Sequence, residues 1–234
     1  MSTMHNKKTH TMSLVFAMLA SAIFGMSFMF SKLALAVAKP TVLLAFRFAV
    51  AFIAMTLVIL ANALIGKLRG RPLFAFSLKG KPIGSLVLLG LIQPVLYFFA
   101  VLCIGGVALI YMGGETHISL LGLVLLLMTV GCDAAYYTLS HKAAAKFTAF
   151  EVTYVMFTVG MVFFIPAALI QGAGHMAETF LPAVQSGSFW GAVIYLGLVS
   201  SVVAYFLLNF ANAHLTVSEA SLFSNVTTVV SVLA

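Results

Sequence analysis

The chain is a ladder of seven hydrophobic runs, five of them about twenty residues long or longer: Leu14–Ala38, Val42–Ile65, Ile83–Met112, Leu120–Leu139 and Val152–Ile170. A helix needs about 20 apolar residues to cross a hydrocarbon core of roughly 30 Å. One such run could be a buried helix in a soluble core. Seven in 234 residues leave too little polar sequence to cover them. Charged residues make up 7% of the chain, against about 25% in an average soluble domain. The pattern predicts an all-α, polytopic transmembrane bundle of about seven helices, with the lipid bilayer as its first partner.

The runs place helices over 13–38, 41–65, 83–112, 118–140, 150–171, 189–212 and 217–234. Several starts carry local signals. Pro82 stands where a first-turn proline is tolerated. Thr148 with Glu151, and Thr216 with Glu219, have the S/T-x-x-E spacing of a capping box. Gly113 with Gly114, and Gly172 with Gly174, are stop signals. Lys7 and Lys8 precede the first run as in a signal peptide, but about 25 apolar residues exceed the 7–15 of a cleaved segment. The run is therefore read as a retained first helix. Cys103 and Cys132 both fall inside apolar runs, where a thiol packs as a small hydrophobe.

Basic residues orient the ladder. Lys7, Lys8, Lys67, Arg69, Arg71, Lys79, Lys81, Lys142 and Lys146 fall on one side, and Lys39 alone lies in a loop on the other. Lys32 and Arg47 sit within or near helix ends. The loops 113–117 and 172–188 hold only Glu115 and Glu178 as charges. Lys and Arg accumulate in cytoplasmic loops, so the N-terminus is expected inside a cell inner (plasma) membrane. The same placement explains the net charge of +7 without nucleic acid as a partner. A faint internal repeat accompanies this order. Sliding the chain by 110 places Lys32 on Lys142 and Leu43–Ile53 on Thr153–Phe163, and sliding it by 107 places Leu89 on Leu196. Three crossings separate the copies, which inverts the second. Transporters build two alternative gates around one midplane site from such repeats.

The chain resembles EamA-type drug/metabolite transporters. Phe24, Gly25, Met26, Ser27 and Phe28, then Lys32, Pro40, Phe46 and Arg47, are similar to that family's opening. Gly105, Gly106, Val107, Ala108, Leu109 and Ile110 resemble its glycine-rich fifth-helix end, and Ser218–Leu222 resembles the start of its ninth helix. The resemblance implies a fold of ten helices in two inverted halves of five, here with an incomplete first repeat over 13–112 and a second over 118–234. Two departures accompany it. Pro94, Tyr97 and Ala100 match the middle of helix three, whereas Val101, Cys103 and Gly105 match the end of helix five. Parts of helices three and five, and all of four, are then absent, with a junction near Ala100 and Val101. The 30 residues of Ile83–Met112, about 45 Å as a helix, are overlong for one crossing unless tilted or kinked at Pro94. The tenth helix is also expected to be missing beyond Ala234.

A charge within an apolar run costs about 2.5–3.5 kcal/mol at a helix centre on insertion scales, so each one is a candidate site residue. Asp133 beside Tyr136 and Tyr137 is a protonatable or substrate-contacting group, or a hydrogen bond between helices. Arg47 could hold an anion bidentately, reach lipid phosphate or pair with a neighbouring helix. Lys32 could face a cavity or snorkel to the interface. Asn209 and Gln93 are intramembrane amides suited to interhelical hydrogen bonds. Glu151 and Glu219 are accounted for by their capping boxes, and Trp190 fits an interfacial belt. Enzyme signals are missing: there is no phosphate-binding glycine loop and no metal-spaced His, Cys or Asp cluster. No cofactor or metal is expected. The expectation is a secondary transporter that moves a small metabolite by alternating access. Its alternative is a shortened, non-transporting chain, or one half of an assembly such as a homodimer.

Overall fold

A computed structural model of the protein describes residues 2–72, 74, 76–78, 84–92 and 120–233. Among them there is no strand. The helices are α1 (Ser2–Leu35), α2 (Pro40–Arg69), α3 (84–92), α4 (Leu120–Ala144), α5 (Ala149–Gln171), α6 (Met176–Gln185), α7 (Gly187–Ile194), α8 (Ala204–His214), α9 (Val217–Leu222) and α10 (Ser224–Leu233). A π-helical segment, Tyr195–Val203, joins α7 to α8. Thr9–Leu35, Pro40–Arg69, Ala149–Gln171 and Gly187–His214 are each long and apolar enough to cross a bilayer, and α4, at 25 residues, has the length of a crossing. The bundle is the polytopic helical fold that the hydrophobic ladder predicts. The expected features at Pro82, Gln93, Pro94, the Ala100–Val101 junction, Cys103, 105–110, Gly113 and Gly114 lie outside the described residues.

Local signals fix the helix ends. At α5 the Thr148 hydroxyl accepts from Glu151 N and a Glu151 carboxylate oxygen accepts from Thr148 N, a reciprocal capping box. Thr216 and Glu219 repeat it at α9. The stop after α5 falls at Gly172, and Gly174 takes a left-handed φ of 82°. Three expectations are corrected. The loop over 172–188 contains α6, whose buried Thr179 and Ala183 give it a packed face that a search for long apolar runs passes over. The helix over 189–212 is continuous in length but widens into the π segment. The last helix breaks at Phe223 between α9 and α10.

The turns joining α1 to α2 and α4 to α5 have the same hydrogen bonds. In the first, the Ala34 carbonyl accepts from the N–H groups of Val37 and Ala38; in the second, the Ala143 carbonyl accepts from Lys146 and Phe147. The residue before the next helix is extended in both, Lys39 at φ −67°, ψ 151° and Thr148 at φ −75°, ψ 156°. The geometric offset between Ala34 and Ala143 is 109, one residue from the 110 of the hydropathy match, so Lys32 corresponds to His141 rather than Lys142. Matching α2 and α5 run antiparallel and form the most extensive seam in the bundle. Phe48 of α2 stacks on Phe164 (ring centroids 5.3 Å apart), and Phe52 stacks on Tyr154 (5.7 Å). At the far end Thr41 donates to Gln171. Phe48, Met55, Met156, Phe157 and Phe164 are fully buried there.

At the end of the bundle that carries Lys67, Arg69, Lys142 and Lys146, a strap after α2 is tied down twice. Asn62 donates to the Phe74 carbonyl (2.9 Å) and accepts from Phe74 N (3.2 Å). Glu151 accepts from Ser77 N at 2.9 Å. Phe74 and Phe76 then pack on Phe150. Asn62→Leu removes both bonds to Phe74, and each hydrogen bond contributes about 1 kcal/mol net. The expected result is faster protease cleavage after Arg71 with at most about 2 kcal/mol lost from global stability; cleavage at the wild-type rate would refute the tie.

Candidate functional site

Arg47 lies seven residues into α2, about 10 Å along its axis, and only 4% of it is exposed. Its Nε donates to Ser201 Oγ at 2.9 Å and its Nη2 to Ser200 Oγ at 3.2 Å. Both serines belong to the π segment. Ser201 in turn donates to the Leu196 carbonyl, five residues back, at 2.7 Å, so its hydroxyl bridges the widened turn. Gly197 allows the approach: a Cβ there would stand 2.7 Å from Val50 Cγ1 and 3.3 Å from the Arg47 carbonyl oxygen. Single-turn π-bulges occur frequently at functional sites, and this segment spans nine residues. Its first residue, Tyr195, stacks on Phe30 with centroids 3.9 Å apart and donates to the Ile23 carbonyl at 3.2 Å.

A second polar group sits nearer the basic end, where α4, α5 and α8 meet. Asn209, 2% exposed, accepts at Oδ1 from Tyr136 Oη (2.8 Å) and Ser140 Oγ (2.9 Å) and donates from Nδ2 to Thr153 Oγ1 (2.9 Å). Asn212 donates from Nδ2 to Ser140 Oγ at 3.2 Å. A buried polar group must be hydrogen-bonded to avoid a desolvation penalty, and this network meets that need for most of its atoms by joining three helices, Asn212 Oδ1 excepted. Tyr205 closes it on the apolar side, edge-on to Tyr136, Phe157 and Phe24.

Beside these groups lies a cavity of about 520 Å³, lined by Met55, Phe74, Phe150, Val202, Phe206 and Phe210 among others. It lies against α2, the start of α5 and the helix that carries the π segment. Small-molecule sites are mostly apolar clefts of about this size with a few placed polar groups.

The expected site residues fall into separate places. Arg47 reaches the π segment. Asn209 and Tyr136 belong to the three-helix network, and Tyr137 is buried beside Tyr136, their rings 5.9 Å apart. Lys32 is exposed in the last turn of α1. Asp133 lies on α4, with its side chain outside the described part. Sequence reasoning missed Ser140, Thr153, Ser200, Ser201 and Asn212. Of these, Asn212 carried a readable signal: it stands three residues from Asn209, on the same helix face. Among the described residues no three His, Cys, Asp or Glu side chains come close enough to hold a metal ion.

Comparisons with known proteins add a lineage. Residues 120–234 match the model of the EamA-like transporter family. The chain is 31% identical to the uncharacterized transporter YcxC of Bacillus subtilis (strain 168), over 97% of its own length and 85% of that protein's. The aligned stretch is 267 residues, longer than the 234 of this chain, so at least 33 residues of the relative have no counterpart here. No solved structure matches.

Proposed function

The chain belongs to the EamA-like transporter family and is a multi-pass membrane transporter of the drug/metabolite type; from that premise we propose that it is a secondary transporter that moves a small metabolite bearing an anionic group by alternating access. The observation that carries this reading is Arg47, a buried guanidinium inside the bundle with two neutral hydroxyls of a π-helical segment among its partners. A substrate carboxylate or phosphate is a better acceptor for a guanidinium than a hydroxyl, because charge-assisted bonds are about twice as strong as neutral ones. The matching turns after Ala34 and Ala143 and the antiparallel α2–α5 seam support two inverted units, 13–112 and 118–234. Reconstitution in liposomes with a counterflow screen of carboxylated and phosphorylated metabolites tests the reading. Flux of at least one is expected, and no flux from folded, inserted protein would refute it for this chain.

The basic end is proposed to face the cytoplasm of a cell inner membrane. In a background without Cys103 and Cys132, Ala145→Cys should react with an impermeant maleimide only after permeabilisation, and Ser188→Cys in intact cells. The reverse pattern would overturn this orientation.

A second reading has its own support. The 33 or more unmatched residues of the relative exceed one crossing of about 20. A chain that lacks them would close its cavity only as one half of a homodimer, or would not transport. Light scattering with crosslinking separates these: a dimer with flux supports assembly, and a monomer without flux supports the non-transporting form.

A further inference from the structure

The three-helix network is directional, and among the described residues it ends on an acceptor with no donor to it. Ser140 gives its single proton to Asn209 Oδ1, so towards Asn212 it can only accept. Asn212 must therefore present Nδ2 to Ser140. Among the described residues its Oδ1 is left buried and without a hydrogen-bond partner, on a residue only 1% exposed. Thr153 Oγ1 passes its own proton on to the Ala149 carbonyl and accepts from Asn209. Tyr136, Ser140, Thr153, Asn209 and Asn212 thus gather five neutral side-chain oxygens, and the surplus is of lone pairs rather than protons.

Helix ends add to that surplus. Ser140 stands four residues from the end of α4, and Asn212 two from the end of α8. Helix C-termini carry about half a negative charge in their free carbonyls. Such ends and neutral oxygens are the surroundings that suit hard cations. Tyr136 Oη and Ser140 Oγ lie 2.8 and 2.9 Å from Asn209 Oδ1, and Asn212 Nδ2 lies 3.2 Å from Ser140 Oγ, so these groups form one continuous cluster. Asn212 is two residues from the end of α8, about 3 Å along its axis, so the path in from the basic end is short. His141, exposed, meets the Asn212 carbonyl oxygen there at 2.7 Å.

We propose that Asn212, Asn209 and Ser140, with Thr153 beside them, form a binding site for a small monovalent cation such as sodium. Resting on the transporter reading, the ion is the coupling partner whose occupancy pins α4, α5 and α8 together at the basic end.

The test is thermal unfolding of the purified full chain in detergent, in sodium, potassium, ammonium or N-methyl-D-glucamine chloride at equal ionic strength. A ligand that binds only the folded state raises Tm in a saturable way. The wild-type protein is expected to gain about 3 °C in sodium over N-methyl-D-glucamine, and Asn212→Leu to gain nothing. Asn212→Asp keeps the oxygen and adds charge, so it should strengthen the sodium response and cover the case in which the leucine variant does not fold. Equal Tm in all four salts, or a response to ammonium but to neither alkali ion, would overturn the proposal. The readout needs no transport: a sodium shift without flux leaves the site standing and removes the transporter reading, and flux without a sodium shift does the reverse.

Discussion

Gly160→Leu is expected to force α2 and α5 apart and to destabilise the bundle by about 1–3 kcal/mol, the usual range for overpacking a filled interior. Even a Cβ at this position would stand 2.5 Å from Phe48 Cδ1 and Cε1. Phe48 has nowhere to go, because it is fully buried between Phe164 and Phe157, with ring centroids 5.3 and 6.0 Å away. The loss should read as a Tm lower by about 5 °C, given 2–4 °C per kcal/mol for a chain of this size. The paired variant Phe48→Ala with Gly160→Leu supplies the control. Phe48→Ala alone leaves a cavity and costs about 3–5 kcal/mol; the new leucine fills part of it, so the pair should be more stable than the sum of its single losses. Additive losses would mean that the two residues do not meet, since independent sites add and touching ones do not.

The seam at Gly160 marks the boundary of what the sequence makes legible. The fold class follows from the hydrophobic ladder alone, because only helices and closed barrels satisfy the backbone in lipid, and unbroken apolar runs of about 20 residues lack the alternation of barrel strands. Helix starts at Thr148 and Thr216 were readable because a capping box is local, three residues wide. The face each helix turns inward was not. α2 and α5 are apolar all round, so no amphipathic stripe marks Phe48 or Gly160 as inner positions. The π segment was hidden for a related reason. It coincides with the Ser201 bond to Leu196 and with the reach of Arg47, 154 residues away, and a run such as Leu196–Val203 reads as an ordinary apolar helix. Glu151 shows how a local explanation can be true and incomplete. Its capping box is present, and a carboxylate oxygen also accepts from Ser77, 74 residues distant.

Of the site residues, Arg47 stood out because a buried charge is conspicuous in an apolar run; its serine partners did not, since Ser200 and Ser201 are unremarkable as letters. Their effects on transport should have opposite signs. Arg47→Met removes the anion-binding fork, and a bond to a charged group contributes about 1.5–3 kcal/mol, so flux of whichever metabolite the counterflow screen identifies should fall about 10- to 100-fold. Arg47→Lys keeps the charge and should recover only part of it, because an ammonium cannot present two donors in a fixed fork. Ser200→Ala and Ser201→Ala act on the other side of the balance. Arg47 now bonds these hydroxyls, so on the proposed reading they compete with the substrate for the guanidinium. Removing one should lower the apparent KM even as it loosens the π segment and reduces thermal stability. A merely structural Arg47 would make both sets of variants fail together, with flux falling in step with Tm. The diagnostic result is therefore the split: weaker substrate binding without the arginine, tighter binding without its serines.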